Sequence, residues 1–163
     1  MTAPSRPFGR AFAGFVFVAS ALVLGAALLS QYWGGLAPCE LCLKERWPWD
    51  AALLIAALAF LLSGRIPVGW PAAVLALIFA AGAVLAFYHV GVEQHWFAGP
   101  SSCTTNATGA QTIDDLKKQL LATEPVLCDQ VQWSLFGISL AGLNVIASAA
   151  MAIVCIVAAR RRA

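Results

Sequence analysis

AFAGFVFVASALVLGAALLSQYW, residues Ala11 to Trp33, runs for 23 residues without a charge. A helix needs about 20 apolar residues to cross a bilayer, so this run is long enough to span one. It is continuously apolar rather than alternating, which argues for a helix and against a barrel strand. Three further stretches read the same way: Trp47 to Ser63, interrupted only by Asp50 near its start, Val68 to Val92, and Leu135 to Ala159. Composition agrees. The 163-residue chain is 61% hydrophobic and 11% charged, with a mean hydropathy of +0.80, whereas soluble domains carry roughly 25% charge. The expectation is an all-α membrane protein: one domain over residues 1–163, built as a four-transmembrane-helix bundle with outer loops over about 34–46 and 93–134.

Charge gives the orientation. Arg6, Arg10, Arg65, Arg160, Arg161 and Arg162 fall on one side, with no acid among them. The other side sets Lys44, Arg46, Lys117 and Lys118 against Glu40, Glu45, Asp50, Glu93, Asp114, Asp115, Glu124 and Asp129. The positive-inside rule places both termini and the Arg65 loop in the cytoplasm and the remaining loops outside. Aromatics mark the interfaces: Tyr32, Trp33, Trp47, Trp49, Trp96, Phe97 and Trp133 at the outer one and Trp70 at the inner one. A cleavable signal peptide is the alternative for the first run, but signal cores hold roughly 7–15 apolar residues and this one holds 23. Residues Met1 to Arg10, with Pro4, Pro7 and Gly9, read as a disordered tail.

Between the first two spans lies Pro38-Cys39-Glu40-Leu41-Cys42-Leu43-Lys44-Glu45-Arg46. Span two is expected to begin near Arg46 to Pro48, proline being tolerated in a first turn. That sets Cys39 and Cys42 just before a helix N-terminus. In the long outer loop, Thr112 to Ala122 reads as a short amphipathic helix with Ile113, Leu116, Leu120 and Leu121 on one face. Cys103 precedes it and Cys128 follows it. The fifth cysteine, Cys155, lies within span four and reads as a small buried hydrophobe.

Four cysteines on an oxidising face imply disulfides, and they allow three pairings. Cys39–Cys42 with Cys103–Cys128 is the simplest. A Cys103–Cys128 bond encloses 24 residues and as a brace contributes roughly 3–4 kcal/mol. A ring with two residues between its cysteines removes little chain entropy, so bracing accounts poorly for Cys39–Cys42. A reactive pair accounts for it better, because a helix N-terminus with Lys44 and Arg46 nearby favours a thiolate. A four-cysteine zinc site usually has two close pairs, and c-type haem attachment needs a histidine where Leu43 stands. No metal is therefore expected.

Two disulfides on one face suggest exchange between them. Cys103, in a turn-rich segment, is placed to meet an outside protein, and Cys39–Cys42 at the lipid boundary to meet a lipid-soluble acceptor such as a quinone. Arg46 follows Cys42 by four residues, so a helix sets both on one face. A cation there stabilises a thiolate or a reduced quinone oxygen, or else anchors the helix in the headgroups. His89 near the outer end of span three either moves protons or is an interfacial residue. Glu45 and Asp50 are open to the same two readings.

These residues resemble the bacterial disulfide bond formation protein B family. The likeness runs through Pro38-Cys39-x-x-Cys42-x-x-Glu45-Arg46, Tyr88-His89-x-Gly91-Val92-Glu93, Gly99-Pro100-x-x-Cys103, Cys128-Asp129 with Trp133, and Phe136-Gly137-Ile138-Ser139-Leu140-Ala141-Gly142-x-Asn144. The resemblance implies an enzyme of the bacterial inner membrane with its cysteine loops in the periplasm. It would reoxidise a periplasmic, DsbA-like thioredoxin-fold oxidase and pass the electrons to quinone, ubiquinone or menaquinone, with no nucleic-acid partner. It further implies that Cys103 forms the mixed disulfide with that oxidase, Cys128 is its loop mate, Cys39–Cys42 faces the quinone, and Arg46 lies beside it. The family has a histidine at the end of span three, where His89 stands as a second quinone-site candidate. Two rivals are a vitamin K epoxide reductase-like enzyme, whose Cys-x-x-Cys comes late in the chain, and a non-catalytic bundle braced by its disulfides.

Overall fold

The computed structural model describes residues 6–100, 103, 113–114 and 126–160. Helix α1 spans Arg6–Tyr32, α2 Glu40–Leu61 and α3 Gly69–Glu93. A small antiparallel hairpin, β1 Ser134–Leu135 and β2 Ile138–Ser139, leads directly into α4, Leu140–Arg160. Helix α1 packs on α2, α2 on α3, and α3 on α4.

Among the described residues, three helical segments are long and apolar enough to cross a membrane: Phe8–Tyr32, Gly69–Glu93 and Leu140–Arg160. Helix α2 has the length, at 22 residues, but carries Glu40, Lys44, Glu45, Arg46 and Asp50 in its first half. Outward-facing positions are apolar, among them Leu54, Leu77 and Val84, as a lipid-facing surface requires. The core draws on every helix: Phe12 and Val16, then Trp49, Ala52 and Ala56, then Leu75 and Phe79, then Met151 and Cys155. Alanines at the contacts let the helix backbones approach closely. Trp49 and Phe79 meet edge to face with ring centroids 5.0 Å apart, a favoured aromatic geometry. Cys155 is fully buried in this core, as its apolar setting implies.

Several boundaries differ from the expected ones. Helix α1 starts at Arg6 rather than after Arg10, since Pro7 in a first turn removes only an N–H that has no helical partner. Helix α2 starts at Glu40, well before Arg46. Cys39 caps it, its Sγ accepting the Cys42 N–H at 3.2 Å, and Glu40 pairs with Lys44 one turn on at 2.6 Å. Pro48 therefore lies inside the helix. Gly82 of α3 makes room for it, because a Cβ there would lie 3.1 Å from Pro48 Cβ. Helix α4 starts at Leu140, and Leu135 belongs to the hairpin. The Phe136-Gly137 turn has positive φ at both residues, 51° and 80°, the geometry that suits a two-residue hairpin. Ser139 then caps α4, accepting the Gly142 N–H at 3.1 Å. The expected amphipathic helix over Thr112–Ala122 lies outside the described residues except for Ile113 and Asp114, which are helical.

Candidate functional site

The site forms where the N-terminal turns of α2 meet the C-terminal end of α3 and the first turns of α4. Cys39 and Cys42 are free thiols, not the closed ring the simplest pairing supposed. Their sulfurs lie 2.9 Å apart. Cys39 is buried and Cys42 partly so. Cys103 and Cys128 form a disulfide with Cα atoms 5.2 Å apart, as expected. Both pairs touch one buried cluster: Cys39, Cys103 and Cys128 pack with Leu41 and Val92, and Cys42 leans against them. Cys103 is buried at 3% exposure, not displayed in an open turn.

The polar partners of the dithiol come from three helices. His89 of α3 places Nε2 3.6 Å from Cys39 Sγ, and its Nδ1 meets Glu45 Oε1 at 2.5 Å. The other Glu45 oxygen accepts a hydrogen bond from Asn144 Nδ2 at 2.6 Å. Asn144 Oδ1 in turn accepts from Trp49 Nε1 at 2.9 Å and from Ser148 Oγ at 3.2 Å. Helical spacing builds this line: Glu45 and Trp49, like Asn144 and Ser148, are four residues apart and share a face. Buried polar groups in an apolar bundle need such partners, since each unpaired one costs several kcal/mol. Glu45 and His89 are both almost fully buried.

The thiol chemistry is asymmetric. Cys39 is lowered from 9.0 to about 4, chiefly by the hydrogen bond from the Cys42 thiol; burial opposes this and His89 reinforces it. Cys42 is pushed up, because it donates that bond and is itself buried. Cys39 is thus the thiolate and Cys42 the protonated partner.

The cations named from sequence sit elsewhere. Lys44 is tied to Glu40. Arg46 donates from Nη1 to Gln31 Oε1 of α1 at 2.8 Å, so it links α1 to α2. His89 takes the place beside the thiolate that sequence reasoning gave to Lys44 and Arg46. Asp50 is on the exposed side of α2. Sequence reasoning missed Asn144, Trp49, Ser148 and Gln31 as partners. The available signal was the polar spacing of Asn144 and Ser148 inside an apolar run.

The family model described as disulfide bond formation protein DsbB matches residues 9–158, which takes in every residue of this site. The chain belongs to the disulfide bond formation protein B family. Two relatives carry the name disulfide bond formation protein B. One, from Stutzerimonas stutzeri (strain A1501), is 29% identical over 147 residues, covering 86% of this chain and 88% of the relative. The other, from Marinobacter nauticus (strain ATCC 700491 / DSM 11845 / VT8), is 33% identical over 140 residues, covering 79% of each. No solved structure matches the chain.

The segments resembling this family have visible structural work. Gly91 has no side chain because the Phe97 ring occupies the space; a Cβ there would overlap Phe97 Cδ2. Phe97 stacks on Tyr88 at 6.0 Å between centroids, and Tyr88 Oη donates to the Ala98 carbonyl at 2.8 Å. Glu93 accepts a hydrogen bond from Ser139 Oγ at 2.5 Å, tying the end of α3 to the cap of α4. These contacts hold His89 at its height beside Cys39.

Proposed function

We propose that this chain is an inner-membrane thiol:quinone oxidoreductase that reoxidises a periplasmic, DsbA-like thioredoxin-fold oxidase. The observation that carries the reading is the packing of a free dithiol, Cys39 and Cys42, in one buried cluster with a closed disulfide, Cys103–Cys128. A donor and an acceptor of thiol–disulfide exchange stand side by side. In this reading α2 is the fourth span, both termini are cytoplasmic, and the dithiol end of the bundle faces the periplasm.

The partner arrives as a dithiol. Its thiolate attacks Cys103 Sγ, the Cys103–Cys128 bond breaks, and Cys128 leaves as a thiolate. Docking must first uncover Cys103. The partner's second thiol then attacks the mixed disulfide, so the partner departs oxidised and the loop pair stays reduced. Exchange with a closed Cys39–Cys42 ring restores Cys103–Cys128 and leaves Cys39 and Cys42 as thiols. A Cys39–Cys42 dithiol beside a closed Cys103–Cys128 bond is the combination such an exchange would leave.

The residues around Cys42 suit a planar acceptor with polar oxygens. Cys42 is partly exposed, and Arg46 stands one turn further along α2, held by Gln31. When bound, quinone supplies the two-electron, two-proton acceptor that lets the dithiol close. Cys39 and Cys42 give up the electrons as their disulfide forms. His89 Nε2 faces the Cys39 thiolate and stabilises it while the Cys42 thiol gives up its proton, and Glu45 fixes the imidazole. Arg46 supplies positive charge where negative charge develops.

The test is quinone reduction by the purified protein with a reduced thioredoxin-fold donor. Turnover is expected, with loss in Cys39→Ser, Cys42→Ser and Cys103→Ser. Full activity in the Cys103→Ser protein would remove the loop pair from the path.

A further inference from the structure

Cys39 Sγ, Cys42 Sγ and His89 Nε2 lie within 4.8 Å of one another. Two thiolates and an imidazole are zinc ligands, and three protein ligands with an open fourth position are a familiar arrangement for that ion. We propose that the dithiol form of this chain is a redox-gated site for a thiophilic divalent cation of the zinc type, held by Cys39, Cys42 and His89.

The geometry is close to what such an ion needs. With Zn–S at about 2.3 Å and Zn–N at about 2.0–2.1 Å, a tetrahedral site has an S···N edge of roughly 3.5 Å and an S···S edge of roughly 3.8 Å. Cys39 Sγ to His89 Nε2 is 3.6 Å. The two sulfurs are 2.9 Å apart, so they must spread by roughly 0.9 Å to reach that edge. Cys42, the partly exposed member, has room to swing. The outer support is in place as well. His89 turns Nδ1 to the Glu45 carboxylate at 2.5 Å, the carboxylate–histidine arrangement that orients metal-bound imidazoles. Asn144 in turn fixes Glu45.

Coordination displaces the remaining thiol proton or protons to solvent and leaves the sulfurs unoxidised. A disulfide offers neither thiolate, so the site exists only while the pair is reduced. A cation seated there blocks closure of the ring and inhibits any electron transfer through it. Binding itself depends on the three ligands and not on the quinone reading.

Co²⁺ is the probe. Full-length protein carrying Cys103→Ser and Cys128→Ser is purified in detergent, reduced with a phosphine and freed of reductant. The expected result is one Co²⁺ per chain, with thiolate-to-cobalt charge-transfer absorption and tetrahedral visible bands, displaced by Zn²⁺. Oxidising the same protein should abolish the bands, a comparison that needs no further variant. Cys42→Ser should weaken binding at least tenfold and cut the charge-transfer intensity by about half, in line with one thiolate fewer. Glu45→Gln should weaken it by about 10–100-fold. Cys155→Ser should bind as the parent does. Absence of charge-transfer absorption in the reduced protein, equal binding after oxidation, or loss of the bands in Cys155→Ser would each overturn the proposal. If quinone turnover is absent while reduced protein still binds Co²⁺, the metal site stands and the redox reading falls.

Discussion

The Cys39 sulfur has three polar neighbours: the Cys42 N–H at 3.2 Å, the Cys42 thiol at 2.9 Å and His89 Nε2 at 3.6 Å. Together they outweigh burial and hold Cys39 at about 4 instead of 9.0. Between those values the folded dithiol binds fewer protons at Cys39 than the unfolded chain does. This group therefore contributes stability that is fully present above about 9 and is lost progressively as pH falls toward about 4. Ultraviolet thiolate absorbance of the reduced protein should report one thiolate at neutral pH and fade as pH drops through about 4. Absorbance that appears only near 9.0, the ordinary thiol value, would contradict this assignment. Cys39→Ser should abolish the signal. Glu45→Gln removes the anion behind His89 and should move the midpoint upward; an unmoved midpoint would mean that His89 does not depend on Glu45. Arg46 acts on a different partner. Arg46→Ala should raise the apparent Michaelis constant for quinone by about tenfold, the scale of one charge-assisted hydrogen bond, and leave the Cys39 titration in place. An unchanged constant would make Arg46 only the tie between α2 and Gln31.

At the scale of elements, α2 presents the dithiol and α4 steadies the polar groups behind it. Asn144 bridges the Glu45 carboxylate and the Trp49 indole, so it fixes α2 against α4 at two points. Asn144→Ala leaves both buried groups short of a partner. Thermal unfolding of the detergent-solubilised protein should show a loss of about 1–3 kcal/mol; unchanged unfolding would show that the bridge is not structural. Much of this level was legible in sequence. The apolar run Val68 to Val92 differs from α3 by one residue at each end. The start of α2 was not legible, because Pro48 reads as a helix beginning while Gly82 on the neighbouring α3 leaves room for it within one. The start of α4 was hidden for a related reason: Leu135 to Ser139 is as apolar as a helix, and only the Phe136-Gly137 turn and the Ser139 cap separate hairpin from helix.

At the scale of the whole molecule, the bundle brings a dithiol and a disulfide from different loops into one buried cluster. The Cys103–Cys128 bond belongs to the simplest of the three pairings that four cysteines allow. The side chain beside Cys39 could not be read from sequence. Lys44 and Arg46 are near in sequence but are drawn to Glu40 and Gln31, whereas His89 arrives from 50 residues away through the packing of α3. Electron flow is proposed to enter at Cys103–Cys128 and come to rest on Cys39–Cys42. It is tested by differential thiol trapping with mass spectrometry on fully oxidised, quinone-free protein given one equivalent of reduced thioredoxin-fold donor. Cys39 and Cys42 should be labelled as free thiols while Cys103–Cys128 is recovered closed. Labelling confined to Cys103 and Cys128, with Cys39–Cys42 still closed, would contradict it.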